Sequence, residues 1–274
     1  MIREQQLTKR SRTLHTLNEA VTAMKSLSAH HFLLARRALE PARVYRSEID
    51  ELLLQIGIRQ KNHRTEPLGI LLVTSDLGLC GDYNSRLARF ALGEREHHPD
   101  SLFFVVGRRG RIAMKKNSIS CERTYTAPAS VDGLPLGVLA IAEDIVEQYS
   151  QRKISGLTVI SSRFEGAGRF QAISTQLLPI ITKSDQPLVA TPYQTRGHLF
   201  EAAVREYLYI TIYELLLDSL ASEHGMRLIA AESARKWIGE TQQTVKRQLS
   251  AVRMESSTQE VLDIVGASRK LKKV

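Results

Sequence analysis

The sequence predicts an α/β protein in which two long terminal helices, wound together as a coiled coil, flank a small open α/β body. Three observations carry this. The first forty residues contain neither glycine nor proline, and the last eighty-two contain no proline. Between them, short apolar runs alternate with helical segments, as in an open α/β sheet. The natural divisions are an N-terminal helix over 1–61, an α/β domain over 62–196 and a C-terminal helix over 197–274.

The N-terminal stretch repeats in sevens. Leu7, Leu14, Val21, Ser28, Ala35, Ala42, Ile49 and Ile56 form one row, and Arg10, Leu17, Met24, His31, Ala38, Tyr45 and Leu52 form a second, three residues on. Twelve of these fifteen are apolar. A 3.5-residue repeat held this long keeps one seam facing a partner only through supercoiling. Pro41 is expected to interrupt and kink it. At ~1.5 Å per residue the stretch reaches roughly 85 Å, longer than a small domain is wide. The C-terminal stretch supplies the partner seam through Ala234, Ile238, Thr241, Val245, Leu249 and Val252. Upstream, Leu199, Val204, Leu208, Ile212, Leu215, Leu216 and Leu220 form the wider apolar face of a helix lying on a folded body.

In the body, Leu68 to Val73 and Leu102 to Val106 are short apolar runs suited to buried parallel strands. Tyr83 to Leu92, Arg108 to Lys116 and Leu136 to Tyr149 are expected as helices, and Leu157 to Ile160 and Phe170 to Ile181 as extended. Asp132-Gly133, Gly166 to Gly168 and Gln186-Pro187 are the turn signals.

Charge divides unevenly along the chain. Residues 1–61 carry eleven basic and six acidic side chains, 62–223 carry seventeen and eighteen, and 224–274 carry ten and five. The whole excess of +9 therefore lies on the terminal helices. A positive rod favours an acidic surround, and a basic coiled coil that binds nucleic acid is the alternative. Against that alternative, the charges are spaced singly and no aromatics are interleaved to stack bases. No apolar run approaches a membrane span, and the first residues show neither a secretory core nor a transit pattern, so a cytosolic protein is expected. Cys80 and Cys121 are expected to be reduced and buried. His30/His31 and His97/His98 are adjacent, so on a helix neither pair can share a metal.

The loop Ser75-Asp76-Leu77-Gly78-Leu79-Cys80-Gly81-Asp82-Tyr83-Asn84 opens a helix after a strand, where a phosphate could sit. It lacks both the three-glycine dinucleotide spacing and a terminal Gly-Lys-Ser/Thr, and the carboxylate of Asp82 would repel phosphate. No nucleophile motif appears. No catalytic residue, cofactor or metal site is expected.

With those residues in view, the chain resembles the gamma subunit family of F-type ATP synthases. Thr22-Ala23-Met24-Lys25 is similar to the family's Thr-Lys-Ala-Met-Lys, and Ser75 to Asn84 to its Ser-Asp-Arg-Gly-Leu-Cys-Gly-Gly-Phe-Asn. Val105 to Arg111 resembles its Val-Gly-Arg-Lys-Gly-Arg, and Gln176-Leu177-Leu178-Pro179 its Glu/Gln-Leu-Leu-Pro. Ser222-Glu223-His224 with Arg227 looks like its Ser-Glu-His/Gln-Ala-Ala-Arg. Thr258-Gln259-Glu260 through Asp263-Ile264-Val265 is similar to its Thr-Gln-Glu-Leu-x-Glu-Ile-Val. The matches keep their order from about residue 7 to residue 267.

The resemblance implies an antiparallel coiled coil and a Rossmann-like body. It implies a rotor without a catalytic site of its own, coupling ion flow through a membrane ring to the catalytic beta subunits. The partners it implies are the alpha and beta subunits, the epsilon subunit and the c-ring, at the cytoplasmic face of a bacterial plasma membrane and without nucleic acid. Carried over by motif, Met24 and Lys25 would face the beta loops. Arg253, Thr258 and Gln259 would meet the hexamer, and Tyr193 would face the membrane ring. Some positions depart from the pattern. Leu77 replaces the loop arginine, Asp82 replaces a glycine, and His30-His31-Phe32-Leu33-Leu34 replaces a basic run. The small apolar tip becomes Gly266-Ala267-Ser268 followed by Arg269, Lys270, Lys272 and Lys273. These changes point to a divergent, alternate-type bacterial branch.

Overall fold

Alternation along two strands decides how the sheet is buried. In β1 (Leu68–Val73) Ile70 and Leu72 point to one face, Leu71 and Val73 to the other; in β2 (Leu102–Val106) Phe103 and Val105 oppose Phe104 and Val106. Apolar side chains on both faces require cover on both faces, the condition of a parallel sheet inside helices. The computed structural model, which describes residues 2–56, 66–166, 168–180 and 196–271, has that arrangement. Five strands lie in the order β3-β2-β1-β4-β5, with β3 (Cys121–Tyr125), β4 (Gly156–Gly166) and β5 (Arg169–Leu178). All neighbours are parallel except β4 and β5, which form a hairpin.

One face is covered by α2 (Tyr83–His97) and α3 (Arg108–Lys116), through Tyr83, Leu87, Ala91 and Met114. The opposite face packs on Leu134, Val138, Ile141 and Ile145 of α4 (Leu134–Ser150), which follows a 3-10 turn over Val131–Gly133. The same core includes Leu39, Leu53 and Ile56 of α1 (Ile2–Ile56) and Leu208, Ile212, Leu216 and Leu220 of α5 (Arg196–Leu271). An ionic cross-link joins these two helices. Arg43 Nη2 reaches Asp218 at 3.1 Å, and Arg46 Nη1 reaches Glu214 at 2.8 Å. Asp218 also accepts the backbone N–H of Phe164 at 3.0 Å, so its buried carboxylate is satisfied on both oxygens.

Two compact units result. One comprises Met1–Leu27 with Ala230–Val274, the other Ser28–Ile229. Both terminal helices contribute to each.

Several expectations are corrected. The α1 row at Leu7, Leu14, Val21, Ser28, Ala35, Ala42, Ile49 and Ile56 is buried or half-buried throughout, but the row three residues on is so only in part. In that row Arg10, Leu17 and Tyr45 are exposed while Met24, His31, Ala38 and Leu52 are half-buried; Ser11, Asn18, Lys25, Phe32, Leu39, Arg46 and Leu53, four residues on, are half-buried or buried at every position. Counting apolar residues passed over the row four residues on because its positions at Ser11, Asn18 and Lys25 are polar. The α5 seam from Ala234 to Val252 is half-buried or buried at every position named. Helix α1 continues through Pro41, so the proline does not end it. Strand β3 was not anticipated: as an edge strand with its side chains exposed or half-buried, it has no apolar pattern to read. Its Cys121 is half-buried, while Cys80 is buried. Gly166 and Gly168 turn the β4–β5 hairpin with φ of 135° and 70°, values that a side chain would strain. The Gln186-Pro187 turn lies outside the described residues.

Candidate functional site

In the coiled-coil unit the apolar seam is short. Leu14, Ile238 and Val245 are buried, with Leu7 and Val21 packed against them. Two ion pairs fix how the arms run: Lys25 Nζ meets Glu232 Oε2 at 2.5 Å and Arg253 Nε meets Glu4 Oε1 at 2.8 Å. In both pairs the residue numbers add to 257. A constant sum is an antiparallel register. It sets Ile2 opposite Glu255, while α5 continues to Leu271. Among the described residues, α5 therefore runs sixteen residues, about 24 Å, past the point opposite Ile2.

That overrun carries the exposed groups. Every side chain from Ser256 to Val265 is exposed, including Val261 at 58%, Leu262 at 59% and Ile264 at 69%, and Met254 just before them is 74% exposed. Apolar side chains at this exposure, contiguous on one helix end, mark a surface that another chain covers. Thr258 Oγ1 donates to the Met254 carbonyl at 2.8 Å, and Gln259 Nε2 donates to Asp263 Oδ1 at 3.0 Å. Both are ordinary one-turn contacts on an exposed helix. Met24 is half-buried, and Lys25 next to it spends its ammonium on Glu232 within the rod, whose carboxyl is held below its ordinary range by that hydrogen bond and charge. Tyr193 lies outside the described residues. Trp237, 59% exposed one residue before Ile238, is a surface group that the seam pattern passed over.

In the α/β unit, the glycine-bearing loop is built to hold itself. Asn84 Nδ2 donates to Ser75 Oγ at 2.8 Å, and Ser75 Oγ donates to the Leu77 carbonyl at 2.6 Å. The first N–H groups of α3, which could have met an anion, are consumed. Arg108 N donates to Asp76 Oδ1 at 2.7 Å, Arg109 N to the Ser75 carbonyl at 3.0 Å, and Gly110 N to Thr74 Oγ1 at 2.9 Å. Those donors at the α3 N-terminus are satisfied by protein; at α2, the helix that the loop opens, Tyr83 N donates to the Cys80 carbonyl at 3.3 Å and Arg86 N to the Asp82 carbonyl at 2.9 Å. The loop tip instead exposes Leu77 at 60% and Leu79 at 66%, with Leu79 at φ 59°, a strained value for leucine. Loop composition had suggested a phosphate question; the side chains present an apolar contact.

Beneath the loop lies a buried polar cluster on α5. Arg227 pairs with Glu223, donates to His224 Nδ1 at 3.2 Å and reaches the Gly78 carbonyl at 3.4 Å. Since arginine only donates, His224 Nδ1 must accept, which favours the neutral ring protonated at Nε2. The His224 and His31 rings lie 5.1 Å apart. Burial, then the charge of Arg227 and the His31 ring, pushes His224 down to about 4. Burial likewise raises Glu223 and Cys80, and Cys80 is therefore a poor thiolate. Among the described residues no group of three or more metal-ligating side chains converges, and no helix is long and apolar enough to cross a membrane.

Residues 3–271 match a family model described as ATP synthase. The ATP synthase gamma chain of Clostridium novyi is 25% identical over 276 residues, covering 95% of each chain. That of Moorella thermoacetica is 26% identical over 284 residues, covering 97% of this chain and 98% of the relative. A chain in the cryo-EM structure of the Euglena gracilis mitochondrial ATP synthase (OSCP/F1/c-ring, rotational state 3) superposes with a TM-score of 0.70 at 17% identity, covering 99% of this chain and 96% of the other. A chain of the Tetrahymena thermophila mitochondrial central stalk and c-ring gives 0.59 at 19% identity, covering 78% and 99%. These structural likenesses speak for the fold.

Proposed function

The chain belongs to the ATP synthase gamma family, and on that premise we propose that it is the central-stalk rotor of an F-type complex, carrying no catalytic site of its own. The observation that carries this reading is the antiparallel rod whose α5 end overruns its partner with apolar side chains exposed. A rod of that kind has two jobs. Its paired length resists twisting, and its unpaired end supplies the contacts that another protein reads.

The proposed partners are the alpha and beta subunits around the rod, with the epsilon subunit and the c-ring on the α/β body, at the cytoplasmic face of a bacterial plasma membrane. In this mechanism the asymmetric rod touches each beta subunit differently and so weights their conformations differently; rotation exchanges the weights. Proton or sodium flow through the ring supplies the torque. Met24, Lys25, Arg253, Thr258 and Gln259 are proposed as contact positions along the rod, and Tyr193 at the ring. Lys25 and Arg253 act there through what their ion pairs leave exposed. Nucleic acid is not a proposed partner, since cations of the rod are partly spent on Glu4 and Glu232 and Trp237 is the rod's one aromatic side chain, too few to stack successive bases.

The test is reconstitution. The complex purified through its catalytic subunits should contain this chain, and omitting the chain should abolish ATP-driven ion pumping. Full coupled pumping by a complex assembled without it would overturn the reading.

A further inference from the structure

Helix α4 has a second apolar face, turned away from the sheet. Leu136 is 78% exposed and Leu139, one turn on, is 46% exposed. Val146 continues the same face as a half-buried residue. Together with Tyr209 of α5, Leu139 and Val146 line a groove of about 540 Å³ between the two helices, inside the α/β unit. The Tyr209 ring lies near-parallel to that of Tyr213, 6.3 Å centroid to centroid.

The groove's edge is acidic. Glu143, Glu147 and Glu206 line it against one cation, Arg205. Glu206 accepts the Tyr45 hydroxyl at 2.9 Å and Glu147 accepts Gln151 Nε2 at 2.8 Å, both neutral donors. Among the described residues, no ion pair neutralises any of the three carboxylates. An apolar floor with uncompensated carboxylates at its rim is complementary to one kind of occupant. We propose that this groove is a docking site for an amphipathic helix of another protein, apolar along the buried side and bearing Lys or Arg at its flanks. The apolar face supplies contact area; the flanking cations set the register against Glu143 and Glu147, one turn apart on α4.

The test is site-directed photocrosslinking in cells of the native host. The full chain carries a benzophenone side chain at position 139 or, as a control, at exposed position 117. Crosslinked product is purified through this chain and the captured peptide is sequenced. The expected result is capture from 139, at least tenfold over 117, of one peptide with helical apolar spacing and flanking Lys or Arg. Glu143→Lys with Glu147→Lys should cut the yield at least tenfold, and reversing the partner's flanking cations should restore it. No capture above the control, a captured peptide without cations, a second copy of this chain, or a yield unmoved by the double reversal would overturn the proposal. Because the capture is made in cells and not on a purified motor complex, its outcome is separate from that of the reconstitution.

Discussion

The coiled-coil unit and the α/β unit are stabilised by different means. The body buries apolar side chains on both faces of a five-stranded sheet and adds an ionic network of Arg43, Arg46, Glu214 and Asp218. Among the described residues the rod buries four apolar groups, Leu14, Ala231, Ile238 and Val245, and its ion pairs are exposed to water. Its surface shows Leu17, Trp237, Met254 and Leu262. A small seam beside a surface rich in exposed apolar groups is the pattern of a chain whose outside is meant to be read by others. The body's core, by contrast, suffices to specify its fold.

Substitutions should separate the two along a scale. Phe104→Ala, at a wholly buried position of β2, should cost about 3–5 kcal/mol in urea unfolding. A loss under about 1 kcal/mol would mean that the body's core is not packed as described. Ile238→Ala should cost less, about 2–3 kcal/mol, because a two-helix seam can close over a cavity. Hydrogen exchange should show the loss within the rod; equal deprotection of β1 and β2 would erase the contrast.

Acid should strike the body. Burial, Arg227 and His31 hold His224 at about 4 against an ordinary 6.5. The fold thus favours the neutral ring; stability is intact above pH 6.5 and is lost as pH falls from there toward 4. Between pH 7.5 and 5 this amounts to about 2 kcal/mol, and His224→Gln, which cannot take up the proton, should lose that much less. Identical pH dependence in the two proteins would remove His224 from the account. Smallest of all, Lys25→Gln should move the unfolding midpoint by under about 2 °C, since both partners of that pair are well exposed.

What was legible in the sequence follows from how each element is buried. β1, β2 and α3 matched their expected limits, because strands buried on both faces read as unbroken apolar runs and glycine and asparagine bracket the helix. The α5 seam was legible for the same reason: its buried positions are mostly apolar. The α1 seam was half legible, since Ser11, Asn18 and Lys25 occupy it and no hydrophobicity pattern identifies a polar seam. Edge strand β3 had no signal to find. At the candidate site, motif likeness located Lys25 and Arg253 on the rod, but not that each is tied to a carboxylate across it. The exposed leucines at 77 and 79 and the groove beside α4 depend on which face a side chain takes, and that is set only when the body packs.

The register of the rod is the claim most directly open to measurement. Spin labels at Gln6 and Ser250, exposed and nearly opposite in the 257 register, can be read by pulsed dipolar spectroscopy in the complex purified through its catalytic subunits. A narrow distribution centred near about 20 Å, two packed helices plus the label tethers, is the result expected. A broad distribution, or a mean beyond about 40 Å, would contradict the antiparallel rod and the rotor built on it.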